Sequence, residues 1–330
     1  MRAMNATGSA ADHRARQGLA WARQALDRPG LELAPLAGDA SFRRYFRVRD
    51  DDHCRVLMDA PPGHEDLRPF IDVARRLREA GVRAPAIDAT DMEQGFLLLE
   101  DLGDTLLRDV LTTDSAAAWM PRLFDLLERL ATGVNATGLP DYDRRRLQDE
   151  LELFPEWYLG RHKGIALTCA QLDAWEDLAT RLLVAAERQP RAFVHRDFHS
   201  CNLLVGEDDD LAVIDFQDAV RGPVSYDLAS LLWDRYISWP RDQIEAWIEA
   251  FRPRVAPDWP PERWLQAVDW MGLQRNLKIV GIFARLHHRD GKTGYLELLP
   301  RFWSYVRDTI GRYPELRAFD ELLEDLACAP

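Results

Sequence analysis

Between two apolar dipeptides, Phe193-Val194 and Val213-Ile214, lies the stretch that most constrains this chain. It reads His195-Arg196-Asp197-Phe198-His199-Ser200-Cys201-Asn202, and Asp215 closes the second apolar run. Asp197 has the carboxylate that can orient a hydroxyl and take its proton, and Asn202 and Asp215 have the hard oxygens that magnesium prefers. His-Arg-Asp, four residues, then Asn is the spacing of a phosphoryl-transfer loop, where a carboxylate orients the acceptor and metal ions neutralise the nucleotide phosphates. The competing reading is a polar turn between two core strands, and the downstream strand ending in Asp weighs against it. These residues predict ATP-dependent phosphoryl transfer assisted by Mg2+.

A chain of 330 residues is long for one core and suits two lobes. Its net charge of -13 argues against nucleic acid as a partner, because phosphate backbones select basic surfaces. The four cysteines, Cys54, Cys169, Cys201 and Cys328, form no Cys-x-x-Cys pair and suggest neither a disulfide scaffold nor a zinc site. The polar start, Met1 to Gln17, lacks the apolar core of a signal peptide, and no apolar run reaches the length of a membrane span. The expected protein is cytoplasmic, monomeric and without a membrane partner.

Along the chain, Arg14 to Asp27 reads as a helix stopped by Pro29-Gly30. Strand-like runs follow at Leu31 to Leu36, Arg43 to Arg49 and Arg55 to Asp59. Asp66 to Ala80 is helical, with Phe70, Val73 and Leu77 at helical spacing and Gly81 as its stop, and two more strands fit Ala86 to Ala89 and Gly95 to Glu100. From Thr105 the pattern changes to long helices: Asp114 to Thr132, Arg144 to Leu159 and Thr168 to Arg188. The expected fold class is α+β and two-lobed, with a small sheet lobe carrying one packed helix over residues 1–101 and a mainly helical lobe over 102–330.

Gly38-Asp39-Ala40-Ser41-Phe42-Arg43-Arg44 lies between two strands, where backbone amides, Ser41 and the arginines can cover phosphate. With one glycine the motif is weak, and an ordinary hairpin is the alternative. A kinase carries a phosphate-gripping lysine on the following strand. Here that strand reads Arg55-Val56-Leu57-Met58-Asp59 and has none, so Arg43, Arg44 or Arg47 must supply the cation, or the site is degenerate. Asp72 is the best-placed partner acid on the lobe's helix. Glu100-Asp101-Leu102-Gly103 follows the apolar strand, and its backbone at Glu100 and Leu102 can read an adenine edge.

His195 and His199 are read as loop-ordering residues, Cys201 as packed, Asp218 as a loop residue or a supporting acid, and Asp227 as a helix-start stabiliser. From Asp215 the chain reaches Gly222-Pro223 within a few residues, which leaves no room for an activation segment, and no Ala-Pro-Glu anchor follows. Protein kinases use both, so the acceptor is expected to be a small molecule.

With these residues in hand, the chain resembles the aminoglycoside phosphotransferase-like family, the small-molecule branch of the protein-kinase-like fold, from about Leu31 to about Leu232. Its marks are His195/Asp197/Asn202, Asp215 and Gly222-Pro223 to Asp227-Leu228. Within that family it is most similar to the amino-sugar kinases of cell-wall recycling, through Asp39 to Phe46, Met58 to Pro62, Ile214 to Ala219 and Gly272 to Lys278. The resemblance implies ATP and Mg2+ as cofactors, N-acetylmuramate or N-acetylglucosamine as acceptor, transfer to the anomeric hydroxyl, and a missing lysine that is a subgroup trait.

An acceptor site needs hydrogen bonders and often an aromatic face. Glu150, Glu156, Trp157 and Tyr158 precede the loop, and Trp233, Asp234 and Arg235 follow it; for any one tryptophan the core is the better reading. Arg275, Asn276 and Lys278 interrupt an apolar helix from about Trp264 to Ala284. A buried cation needs a partner, which is either an internal acid or a substrate carboxylate. The candidate acceptor residues are Glu150, Trp233, Asp234 and Arg275. An aminoglycoside or small-alcohol kinase and a nucleotide-sensing pseudokinase are the competing readings.

Overall fold

A computed structural model describes residues 4–36 and 42–326, with side chains from residue 13 on. By its internal contacts the chain divides into two units, Met1–Thr105 with Leu204–Asp218, and Leu106–Leu203 with Ala219–Pro330.

In the first unit α1 (Met4–Ala25) leads into β1 (Glu32–Pro35), β2 (Arg44–Arg49) and β3 (Cys54–Asp59), then α2 (Leu67–Glu79), β4 (Ile87–Asp91) and β5 (Phe96–Glu100). The strands form one antiparallel sheet in the order β1-β2-β3-β5-β4. Register places Phe46 opposite Leu57 and Leu57 opposite Leu98, so an apolar row crosses three strands. That row forms a core with Ala15, Ala22 and Phe96, flanked by Leu19 and Trp21. A Cβ on Gly18 would stand 2.8 Å from Leu57, so the absence of a side chain there lets α1 lie against the sheet. The expected sheet with one helix thus has α1 on it as well. α2 starts at an Asp66 cap that accepts from Arg68 N–H, and Gly81 follows its end at φ +72°.

Residues 204–218 were expected with the second lobe, but their contacts lie with the first unit. A hairpin of β7 (Leu203–Val205) and β8 (Leu211–Val213) is tied there by Val213 N–H donating to Arg83 O at 2.8 Å. The Arg83–Asp210 ion pair at 2.7 Å and Phe216 packed 4.8 Å from Phe70 complete the attachment.

The second unit is mainly helical: α3 (Leu107–Val110), α4 (Ala116–Glu128), α5 (Arg144–Leu151), α6 (Cys169–Glu187), α7 (Tyr226–Leu232), α8 (Arg241–Val255), α9 (Pro261–Asp290), α10 (Leu299–Ile310) and α11 (Arg317–Asp325). The helix expected from Arg144 to Leu159 stops at Leu151 and is followed by a wider, π-helical segment over Phe154–His162; Pro155 near its start has no N–H to continue the earlier ladder. α9 spans 30 residues and is buried along most of its length. It packs on the 154–162 segment, α6, α7, α8 and α10. Trp175 and Trp303 are buried with Phe154, and Trp303 Nε1–H donates to the Tyr158 hydroxyl at 3.0 Å, so these tryptophans belong to the core. β6 (Arg191–Val194) pairs antiparallel with β9 (Val220–Pro223) and delivers the chain to His195.

Close approach decides Gly281 on α9. A Cβ there would lie 2.4 Å from the backbone carbonyl carbon of Leu153, which cannot swing aside. Gly281→Ala is expected to lower the urea-unfolding free energy by about 2 kcal/mol through overpacking. Gly294, with open space around it, should accept alanine with little change.

Candidate active site

In the second unit the loop after β6 is fastened by two carboxylates from distant sequence. Asp227, in the first turn of α7, accepts from the backbone N–H groups of His195 at 2.7 Å and Arg196 at 3.0 Å. Its role is thus to anchor this loop, beyond the helix-start role expected for it. Burial pushes its carboxyl up to about 6, against the pull of His195 and the two N–H groups. Asp234 is fully buried and accepts from the N–H of Ser200 and of Tyr236, each at 2.8 Å. Arg196 takes φ +78°, a conformation costly for a side-chain-bearing residue that these anchors over-determine.

The turn so formed holds Asp197 half-buried. Burial alone would raise its carboxyl; Lys278, then His199, Arg275 and His195, outweigh it and bring the group down to about 2. Asp197 is therefore an ionised hydrogen-bond acceptor. Asn202 spends its amide Nδ2–H on the main-chain oxygen of Asp197 at 2.9 Å, which leaves Oδ1 as the acceptor a cation needs. His195 is buried, and its Nδ1 accepts from Asp197 N–H at 3.3 Å. His199 Nε2 faces Arg235 Nη2 at 3.0 Å; burial and then Arg235 push its imidazole down to about 4, so it accepts that bond as a neutral ring. Cys201 receives a hydrogen bond from Arg108 at 3.4 Å.

Behind the loop lies a buried ion network. Glu150 accepts from Arg196 at 2.6 Å, from Lys278 at 2.9 Å and from the Tyr142 hydroxyl, and Lys278 also donates to the Tyr226 hydroxyl at 3.2 Å. Burial would raise the Glu150 carboxyl, but Lys278 and Arg196 bring it below its ordinary value. Lys278 thus has an internal acid. Arg275 is 4% exposed, and its hydrogen bond goes to a carbonyl, Trp233 O at 3.3 Å. No carboxylate among the described residues forms an ion pair with Arg275 within 4 Å. Trp233 itself is buried, its ring so near α9 that a Cβ on Gly272 would stand 2.6 Å away. Of the acceptor candidates, Glu150, Trp233 and Asp234 therefore have interior contacts, and Arg275, whose charge reaches Asp197, is the cation with no carboxylate within 4 Å among the described residues.

In the first unit Asp215 takes φ +60° and accepts from Gln217 Nε2–H at 3.0 Å, and Gln217 also bonds Asp218 at 3.2 Å. Arg43 is buried, 3.9 Å from Asp215 and 3.7 Å from Glu65. On the strand without a lysine, where Met58 or Asp59 holds the expected position, Asp59 is fully buried and bound by Arg44 and by Arg14 of α1, whose Nε donates at 2.9 Å. Arg44 is thereby engaged in the sheet lobe's interior. Arg47 bonds Asp101 at 2.5 Å and Asp104 at 2.9 Å. Asp72 is held by Arg75 and Arg76 of its own helix, both at 2.8 Å, and among the ion pairs of the described residues the acid at 3.7 Å from Arg43 is Glu65, in the turn before α2. Phe42 is 65% exposed and stacks on His64 at 4.9 Å. Glu100 accepts from Ala86 N–H at 3.2 Å, and half-buried Leu102 precedes Gly103 at φ +84°. Ser41, with Gly38, Asp39 and Ala40, lies outside the described residues. Lone arginines gave the sequence no signal for Glu65 or for the Asp59 clamp.

Asp197 has a folded pKa below its unfolded one, so its ionised form favours the folded state. That contribution is complete above about pH 4 and is lost as pH falls toward 2; about two pH units correspond to about 2 kcal/mol. The difference in urea-unfolding free energy between wild type and Asp197→Asn should be flat near pH 6 and shrink toward pH 3. In Lys278→Met the shrinkage should begin at higher pH. A pH-independent difference would contradict this placement of charge.

The model of a phosphotransferase enzyme family matches residues 32–265. A protein of Pseudomonas aeruginosa described as an N-acetylmuramate/N-acetylglucosamine kinase is 45% identical over 305 residues, 90% of this chain and 89% of the relative. One of the same description from Pseudomonas putida is 42% identical, covering 90% and 89%. An ADP-bound aminoglycoside phosphotransferase superposes with a TM-score of 0.59 at 14% identity, covering 88% of this chain and 97% of that one, so the fold is protein-kinase-like. No helix among the described residues is long and apolar enough to cross a membrane. Matched over most of its length by that model, and by close relatives along nine-tenths of it, the chain belongs to the phosphotransferase enzyme family.

Proposed function

We propose that this chain transfers the γ-phosphate of ATP to the anomeric hydroxyl of N-acetylmuramate or N-acetylglucosamine, giving the sugar 1-phosphate and ADP. The observation that carries the chemistry is Asp197, held ionised beside Asn202 by Lys278 and its neighbours. The acceptor class is supported by the two Pseudomonas relatives.

Asp197 accepts a hydrogen bond from the C1 hydroxyl, aligns its oxygen with the γ-phosphorus and takes the proton as the new bond forms. A loose transition state asks little basicity of it, so a carboxyl held near 2 suffices. Asn202 Oδ1 and the Asp215 carboxylate are the proposed magnesium ligands. Two protein oxygens suit an ion that completes its shell with water and phosphate. When bound, magnesium neutralises charge on the phosphates and so eases departure of ADP. Ser41, Phe42 and Arg43 are assigned to the phosphates, and the backbone at Glu100 and Leu102 to the adenine. Residues 1–101 are assigned to the nucleotide and 102–330 to the acceptor.

Arg275 favours the acidic amino sugar over a polycationic aminoglycoside. Among the described residues no carboxylate lies within 4 Å of this buried cation, and the lactyl carboxylate of N-acetylmuramate is assigned as its close partner.

The test is turnover with Mg-ATP on N-acetylmuramate, N-acetylglucosamine and kanamycin in parallel, with phosphorus NMR to locate the new phosphate. Anomeric phosphate on the acetylated sugars is expected, reduced about a thousandfold in Asp197→Asn. Phosphate on kanamycin alone would refute the acceptor assignment. Arg275→Met should raise KM for N-acetylmuramate about tenfold, one charge-assisted hydrogen bond's worth, and leave N-acetylglucosamine nearly unchanged.

A further inference from the structure

The phosphate-gripping cation of this chain has to be found among arginines, because the third strand of the sheet has no lysine. Three arginines of the second strand and its approach are near enough in sequence, and their surroundings separate them. Arg44 is bound to buried Asp59, which Arg14 holds from the other side with a 2.9 Å bond. Arg47 is held by two acids at once, Asp101 at 2.5 Å and Asp104 at 2.9 Å. Arg43 is set apart by which acids it faces and not by any lack of them. Its guanidinium is buried and stands 3.9 Å from the carboxylate of Asp215 and 3.7 Å from that of Glu65.

We infer that Arg43 takes the place of the missing lysine at the nucleotide triphosphate, and that Glu65 is its positioning residue. The inference rests on the proposed ATP-dependent reaction. A kinase lysine is aimed by an acid on the lobe's helix, and here the acid stands in the turn just before α2, where Glu65 N–H and His64 N–H both donate to Pro61 O, at 3.3 and 3.1 Å. Ion-pair range to Asp215 sets Arg43 beside a proposed magnesium ligand, so cation and metal ligand address the same phosphates. A planar guanidinium also suits this arrangement better than an ammonium would. Its fork of donors can keep an acid on one edge and receive phosphate oxygens on another. Asp59 supplies the complementary half: a buried acid on the strand without a lysine is tolerable because Arg44 and Arg14 neutralise it.

The test is nucleotide affinity, measured by calorimetry on the full chain with ATP and, by competition, with adenosine. Arg43→Met should weaken ATP at least tenfold and leave adenosine unchanged, because only ATP carries phosphates. Arg43→Lys should keep most of the ATP affinity. Glu65→Gln should weaken ATP by a smaller factor in the wild-type background and have no further effect in Arg43→Met. Equal losses for ATP and adenosine would make Arg43 a structural residue and overturn the inference, as would unchanged ATP affinity in Arg43→Met. A full further loss on adding Glu65→Gln would overturn the positioning role. A wild type that binds no ATP would overturn the kinase reading itself, an outcome distinct from all of these.

Discussion

A carboxylate half out of water keeps its charge only if cations stand near it, and the catalytic loop of this chain is organised around that requirement. Asp197 receives the field of Lys278 and Arg275, both on α9, and of the histidines of its own loop. Lys278 can be buried only because Glu150 on α5 accepts from it, and Glu150 also draws in Arg196, the neighbour of Asp197. Removing one member of such a group leaves a charge without a partner, which costs more than the pair contributes. The loop, α5 and α9 are thus bound into one electrostatic unit.

This dependence explains which parts of the site were legible in the sequence. Asp197, Asn202 and Asp215 stood out as candidates because the chemistry proposed for them fixes both residue type and spacing. The supports could not, since Lys278 and Glu150 are 128 residues apart and no local pattern joins them. Asp227 and Asp234 each receive backbone N–H groups from 31 to 34 residues away except for one local bond at Asp234. Buried polar residues on apolar helices announced that something is paired, without saying with what. Trp233 and Asp234, chosen because they follow the loop and offer an aromatic face and a hydrogen bonder, are buried.

The sheet lobe was legible in outline because a period of two and turn residues at its corners are local signals. Its helix α1 was not placed by the same signals, since a helix stripe does not name the surface it covers. Gly18 and the row Phe46, Leu57 and Leu98 supply the match, and Arg14 on α1 adds an ion pair with Asp59. Asp59, a buried acid on a strand that has no lysine, is in the fold a fastening for that helix.

Two opposite solutions to one problem therefore coexist in the chain. Where a cation is proposed beside phosphates, the strand that usually supplies it has no lysine, and the charge is assigned to Arg43, just before the neighbouring strand. Where an anion is proposed beside a hydroxyl, the loop keeps the Asp of the motif, and the compensating charge comes from a helix far along the chain. The difference follows from geometry. A base must touch the reacting oxygen within a hydrogen-bond length, so its backbone position is fixed. A phosphate-binding cation acts at the end of a long side chain over several ångströms, so its backbone origin can move between strands while the charge stays where the phosphates lie.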